Sequence, residues 1–288
     1  MKKIIITGIL GQDGANMAEY LLSLYDEFGA EQHDYEVYGM MRRSANPNFK
    51  NIEKIKNHPR FNLQFLDLGD TASIDTAVKE IQPDYFINFA ANSFVGISWK
   101  MPEQVMDVNA LGVLRCLEAV RKFKPDCRFY SAGSSEEWGD VDYSPQDIGH
   151  PIKPRSPYGA SKAAARHLVK VYKESYDMFA VHGILFNHEG TKRGEEFVTR
   201  KISKGIARIK YGLDNGQSPD AIELGNLDAK RDWSDSRDFV EGVWLMLNQE
   251  SPKDYILSSG ETHSIRDFIE KAFAVAEING SWRGKGLD

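Results

Sequence analysis

The sequence predicts a doubly wound, parallel α/β sheet with a smaller mixed lobe. Three observations carry that prediction. Short β-branched or aromatic runs alternate with helical periods through the first half. A glycine-rich turn joins the first strand to the first helix. After about Ser131 the alternation loosens into loops and shorter elements. At 288 residues the chain is long enough for one large core and a satellite.

Taken in order, residues 3–7, 36–41, 62–67, 85–89 and 128–131 read as strands, each short, apolar and bounded by Gly, Asp or Pro. Between them, residues 12–28, 51–57, 71–81 and 102–123 read as helices. Asp70 and Ser73 offer cap chemistry to the third of these, and Pro102 suits a first helical turn. Strand–helix–strand repetition at this spacing implies right-handed crossovers and a sheet covered on both faces. Residues 140–157 read as a loop and 158–176 as a helix. A strand is expected at 179–185 and a polar loop at 187–194. Val198, Ile202, Ile206 and Ile209 then mark a helix, followed by a turn-rich break at 211–220. Residues 221–224 and 255–257 read as strands, and 236–247 and 265–277 as helices. The expected division is a dinucleotide-binding unit at 1–180 and a lobe at 181–288 whose segments return to the main sheet.

Composition excludes several classes. Lys and Arg number 36 against 42 Asp and Glu, a net charge of −6 that offers no global footprint for a nucleic-acid backbone. The longest apolar runs, 4–6 and 85–91, fall far short of the ~20 residues that cross a bilayer. The apolar part of the opening MKKIIITG is too short for a signal-peptide core. With only Cys116 and Cys127, a disulfide framework is not expected, and a reducing cytoplasm fits. No HxxxH or CxxC ligand cluster occurs, so no metal site is expected.

Chemistry enters at Thr7-Gly8-Ile9-Leu10-Gly11-Gln12-Asp13-Gly14. Glycines 8, 11 and 14 permit a tight turn, close approach of backbone to a pyrophosphate, and close helix–sheet packing. A glycine triplet alone would be weak; its place at the first strand–helix junction makes it specific. The second strand ends Met40-Met41-Arg42-Arg43-Ser44, with two arginines and no adjacent acid, which favours the 2′-phosphate of NADP over the free ribose of NAD. Tyr158 and Lys162 stand four apart at a helix start, one turn apart on one face. A neighbouring cation is expected to lower the tyrosine from its ordinary value of about 10 and ready it for acid–base work. Ser134 and Glu136, just past the fifth strand, lie where open parallel sheets place active sites: a hydroxyl for a substrate oxygen and a carboxylate base. Glu137 reads as a solvated loop residue.

The glycine loop, Tyr158-Gly159-Ala160-Ser161-Lys162 and the strand end at Ser134 resemble the Rossmann-type extended short-chain dehydrogenases/reductases. Longer strings narrow the resemblance to the GDP-mannose 4,6-dehydratase family: Gly183-Ile184-Leu185-Phe186-Asn187-His188-Glu189, Phe197-Val198-Thr199-Arg200-Lys201-Ile202, and Leu224 through Trp233. The resemblance implies NADP contacts at Gly8, Ile9, Leu10, Gly11, Gln12, Asp13, Arg42, Arg43, Ser44, Asp67, Leu68, Phe89, Ala90, Ala91, Asn92, Ser93, Lys162, His188 and Arg193. It implies catalytic roles for Ser134, Glu136, Tyr158 and Lys162, and sugar-nucleotide contacts at Ser93, Asn187, Val198, Lys201, Gly225 and Arg231. In isolation, His188 would read as a structural histidine, and Lys201 and Arg231 as surface cations. The implied reaction converts GDP-mannose to its 4-keto-6-deoxy product, in a cytoplasmic homodimer or homotetramer. A 4-epimerase or keto-sugar reductase on the same scaffold, and a non-catalytic NADP-binding module, are the alternatives. The sequence departs from the resembled pattern at Ser134 for Thr, Asn92 for Gln, Gln104 for Tyr, and Glu137-Trp138 for Leu-Tyr. The resemblance also implies further chain after Trp282–Asp288, which would help close the sugar-nucleotide lobe.

Overall fold

Ile4, Ile5 and Ile6 are all fully buried, which places the first strand inside a sheet covered on both faces. In the computed structural model, which describes residues 1–284, the first half comprises β1 (Lys2–Thr7), α1 (Gln12–Phe28), α2 (Ala30–His33), β2 (Tyr35–Met41), β3 (Phe61–Phe65), α3 (Thr71–Ile81), β4 (Tyr85–Asn88), α4 (Val95–Ser98), α5 (Pro102–Met106), α6 (Gly112–Phe123) and β5 (Arg128–Ala132). The second half comprises α7 (Pro157–Ser175), β6 (Ala180–Leu185), β7 (Asn187–Glu189), α8 (Val198–Asp214), β8 (Lys230–Asp235), α9 (Ser236–Leu247), β9 (Tyr255–Leu257), β10 (Thr262–Ser264) and α10 (Ile265–Val275). Seven strands form one sheet in the order β3-β2-β1-β4-β5-β6-β9, every pair parallel. The winding direction reverses between β1 and β4, and the carboxyl ends of these two strands open a crevice there.

Two apolar layers flank the sheet. On one face Ile4 and Ile6 pack with Met17, Leu21 and Val243 of α1 and α9; on the other Ile5 and Phe86 pack with Val78, Leu117 and Val169 of α3, α6 and α7. Local chemistry sets the helix ends. Asp70 accepts the Ala72 N–H at 3.1 Å to open α3, and Ser156 accepts the Gly159 N–H at 3.0 Å ahead of Pro157 to open α7. A second sheet, β10-β8-β7, and a small core of Ile202, Ile206 and Ile269 stand beside the main one. Among the described residues no helix is long and apolar enough to cross a membrane.

The structure corrects several expected elements. Residues 51–57 form no α-helix; a 3₁₀ turn at Phe49–Ile52 stands there, its start held by the Asn48 side chain accepting the Lys50 N–H. The helix expected at 102–123 is interrupted by a π-helical turn at Asp107–Leu111. Residues 187–194 carry β7, and α8 runs past 211 to Asp214. No strand forms at 221–224. β8 and β10 pair instead, anchored by Asp232, whose carboxylate accepts the N–H groups of Ser259 and Gly260 at 2.9 and 2.8 Å. The last four residues of the lobe expected at 181–288 lie outside the described residues.

The β1–α1 turn is the tightest approach to the crevice. Gly8 has φ of +69°, and a Cβ there would lie 2.9 Å from the Ala90 N; a Cβ on Gly14 would lie 2.4 Å from the Gly8 carbonyl oxygen. Gly14→Ala should therefore push α1 off the sheet and cost about 1–3 kcal/mol, read as a lower urea midpoint with an unchanged slope. An unchanged midpoint would mean that the helix relaxes freely.

Candidate active site at the strand ends

Two cavities meet at the crevice. The first, of about 380 Å³, is lined by Gly8 to Gly11, Arg42, Ser44, Asp67, Leu68 and 89–93. The second, of about 530 Å³, is lined by Ser134, Glu136, Tyr158, Lys162, Asn187, His188, Arg193, Val198 and Arg231 among others. Phe89, Ala91 and Ser93 line both, so the two form one elongated groove. No side chain caps α1 at Gly11, which leaves its first turn available to an anion beside the bare Gly8–Gly14 backbone. These residues fit a dinucleotide: a phosphate-sized gap at a helix start, with a guanidinium at the end of the second strand.

The floor of the groove is held by buried polar contacts. Thr7 Oγ1 donates to Asn88 Oδ1 at 2.6 Å and accepts the Ala90 N–H at 3.1 Å, which ties the ends of β1 and β4 together. Asn109, within the π-helical turn, accepts the Asn92 N–H at 2.8 Å and donates to the Asn92 carbonyl at 3.2 Å. That turn rotates Asn109 inward, a use typical of π-bulges near sites. No periodicity in the sequence signals it.

Tyr158 and Lys162 share the second cavity, with the Lys162 ammonium 5.8 Å from the centre of the tyrosine ring. The expectation that the cation lowers the tyrosine is not met. Burial pushes Tyr158 up to about 12; the charges of Glu137 and Glu136 add to this, and the Ser134 hydroxyl and Arg193 oppose it. Burial likewise pushes Lys162 down to about 8, with Glu137 and Asp13 opposing. The Lys162 ammonium donates to the Ala132 carbonyl at 2.6 Å. Desolvation wins over pairing here because both groups sit below the surface.

Glu137 overturns its expected solvated role. It is fully buried, caps a short 3₁₀ turn at Ser135–Glu137, and meets His182 Nε2 at 2.9 Å. Four residues separate it from the end of β5, and the turn folds it back under the strand. Glu136 remains partly exposed and faces the cavity.

Other expected site residues divide. His188 Nε2 meets Asp13 Oδ2 at 2.9 Å, and its ring stacks on Phe239. Gln12 lines neither cavity; its amide turns behind the loop to donate to the His188 carbonyl at 3.0 Å. Arg43 is exposed outside the lining, so one of the two arginines faces the first cavity. Lys201 is also outside, its ammonium spent on the Glu223 carbonyl at 2.7 Å, and Gly225 sits in an exposed loop. Phe94, Val95, Glu196 and Phe197, which no sequence motif marks as site residues, also line the second cavity. The Arg193 guanidinium lies 3.6 Å from the Phe197 ring centre, and Phe94 meets the same ring edge-on.

A family model described as GDP-mannose 4,6 dehydratase matches residues 5–288. A protein of that name from Yersinia enterocolitica is 43% identical over 295 residues, covering all of this chain and 76% of its own length. One from Drosophila melanogaster is 41% identical, covering all of this chain and 71% of its own. Among solved structures, a dTDP-glucose 4,6-dehydratase from Streptomyces venezuelae with NAD and TYD bound superposes with a TM-score of 0.82 at 20% identity, over 96% of this chain and 82% of that one. A UDP-glucose 4-epimerase from Thermus thermophilus in complex with NAD gives 0.79 at 23% identity, over 96% and 84%. The last two speak to the fold.

The Asp13–His188 pair carries a test of the site's electrostatics. Burial opposes both charges, but their attraction and hydrogen bond hold Asp13 below, and His188 above, the ordinary value. Folding thus raises the imidazole's affinity for its proton. His188's contribution to stability is complete below the ordinary histidine value of about 6.5 and vanishes as pH climbs through the raised one; that of Asp13 vanishes as pH falls through its lowered one. Asp13→Asn should leave burial opposed by the Phe186 carbonyl alone, lower the His188 titration in an NMR experiment, and cost about 1–3 kcal/mol near pH 6. An unmoved His188 titration would refute the coupling.

Proposed function

The chain belongs to the GDP-mannose 4,6-dehydratase family, and we propose that it converts GDP-mannose to GDP-4-keto-6-deoxymannose with bound NADP. One observation supports this above the rest: a hydroxyl (Ser134), a carboxylate (Glu136), a phenol (Tyr158) and an ammonium (Lys162) line one cavity that opens into a dinucleotide-shaped groove. When bound, an oxidised nicotinamide supplies positive charge and a hydride acceptor, taking hydrogen from sugar C4 and returning it at C6.

In this reading Tyr158 Oη takes the proton of the C4 hydroxyl. It does so as a phenolate, a state that burial opposes and that the Ser134 hydroxyl and the Arg193 charge favour; the Lys162 ammonium stands 5.8 Å from its ring centre. Ser134 Oγ donates to the C4 oxygen as that atom becomes a carbonyl. The ketone acidifies C5. Glu136 removes the C5 proton and passes a proton to the departing C6 hydroxyl, which leaves as water. The proton that Tyr158 took is then delivered to C5, which restores the phenolate. Arg231 of β8 and Asn187 of β7, both in the lining of the second cavity, suit the diphosphate and sugar. Val198 and Phe197 cover the groove from the start of α8. Arg42 and Ser44, in the first cavity, suit a 2′-phosphate.

Purified chain, GDP-mannose and trace NADP⁺ should yield a 4-keto sugar nucleotide; absence of any keto product would sink the reading. Glu136→Gln keeps size and hydrogen bonding but cannot take the C5 proton. NADPH absorbance should still appear in a single turnover, while dehydration and deuterium exchange at C5 slow 10²–10⁴-fold, or about 3–5 kcal/mol. Dehydration at the wild-type rate would make Glu136 a solvated loop carboxylate and overturn the base assigned here.

Arg42→Ala should weaken NADP roughly 10–100-fold and NAD less than about threefold, since a charge-assisted contact is worth roughly 1.5–3 kcal/mol. Equal affinity of the wild type for both cofactors would remove the basis for NADP.

A further inference from the structure

A carboxylate and an imidazole with no solvent exposure lie directly beneath the catalytic loop. Glu137 Oε1 stands between two donors, accepting the Ser134 N–H at 2.8 Å and facing His182 Nε2 at 2.9 Å. His182 comes from the middle of β6, so the contact crosses from one strand to the end of its neighbour. The backbone is shaped to allow it. A Cβ on Gly133 would sit 2.3 Å from His182 Nε2 and 2.6 Å from Glu137 Oε1. The turn is doubly tied: the Ser134 side chain accepts the Glu136 N–H at 3.2 Å, and the Glu137 N–H donates to the Ser134 carbonyl at 3.0 Å. Burying this carboxylate is expensive, and an apolar side chain could fill the same space.

We propose that Glu137, braced by His182, is a positioning residue for the dehydration. Its two hydrogen bonds fix the backbone of Ser134 after β5, and with it the direction in which the Ser134 hydroxyl and the Glu136 carboxylate enter the sugar cavity. The proposal rests on the dehydratase reading above. Glu137 and His182 line neither cavity, so their effect reaches the substrate through the two residues they hold. Positioning of groups that act in the transition state alters kcat and leaves ground-state binding alone.

The test measures kcat and KM for GDP-mannose, normalised to chain with NADP bound, in three variants beside the wild type. Glu137→Leu removes both hydrogen bonds. It should lower kcat about 10–100-fold, the scale of an ångström of misplacement, with KM and NADP affinity changed less than about twofold. Glu137→Gln keeps an oxygen for both donors without the charge, and should hold kcat within about threefold of wild type. If Glu137→Leu does not fold, His182→Leu, which leaves Glu137 bonded to Ser134 alone, should lower kcat about fivefold or more. An unchanged kcat in the folded leucine variant overturns the proposal, as does a glutamine variant as slow as the leucine one. A wild type that makes no keto product overturns the dehydratase reading and this proposal with it; an active wild type with an indifferent Glu137 overturns only the latter.

Discussion

Close approach of bare backbone at the reversal point of the sheet is the constraint on which the rest of the site depends. β1 and β4 lie side by side, yet the chain winds outward from them in opposite directions. Their carboxyl ends are therefore free of any crossover, and the space above them is the one place where a long ligand can lie flat on the sheet. The first turn packs this closely on the end of β4 and on the start of α1 because Gly8 and Gly14 have no side chains, and Thr7 and Asn88 clamp the two strand ends. Both cavities depend on this geometry, since the residues they share, Phe89, Ala91 and Ser93, follow β4 directly.

Burial, more than pairing, sets the electrostatic character of the groove. A helix spacing of four correctly places Tyr158 beside Lys162, but burial outweighs their pairing, pushing Tyr158 up to about 12 and Lys162 down to about 8. Where Asp13 meets His188 directly, attraction and a hydrogen bond outweigh burial, and a second carboxylate–imidazole contact lies beneath the groove. Asp13 with His188 ties the first helix to β7, and Glu137 with His182 ties the end of β5 to β6. Each stitches an early segment to a later one at the rim of the groove.

The centre of the large sheet was legible in the sequence because β1, β4 and β6 are buried on both faces and read as apolar runs. β8, with the sequence KRDWSD, shows neither an apolar run nor clean alternation, and its partner β10 is three residues long; tertiary hydrogen bonds to Asp232 hold this part of the smaller sheet, and no local pattern reports them. Local motifs located the glycine turn, Arg42, Ser134, Glu136, Tyr158 and Lys162 at the groove. They misjudged Lys201 and Gln12, whose polar ends are drawn to backbone carbonyls, and Glu137, whose burial follows from a turn of three residues. The inward rotation of Asn109 leaves no trace at all in residue types.

β9 carries a consequence for how the protein comes into being. The outermost strand of the main sheet is supplied by residues 255–257, after the chain has left that sheet through β7, α8, β8 and α9. During synthesis the edge of β6 must wait, its peptide groups open to any passing strand, until some seventy further residues (185 to 255) have emerged. A fragment that stops soon after β6 would display that edge permanently. Such a fragment would tend to self-associate through it, and expressing the nucleotide-binding half as an independent module would require an artificial strand or a charged blocking residue there.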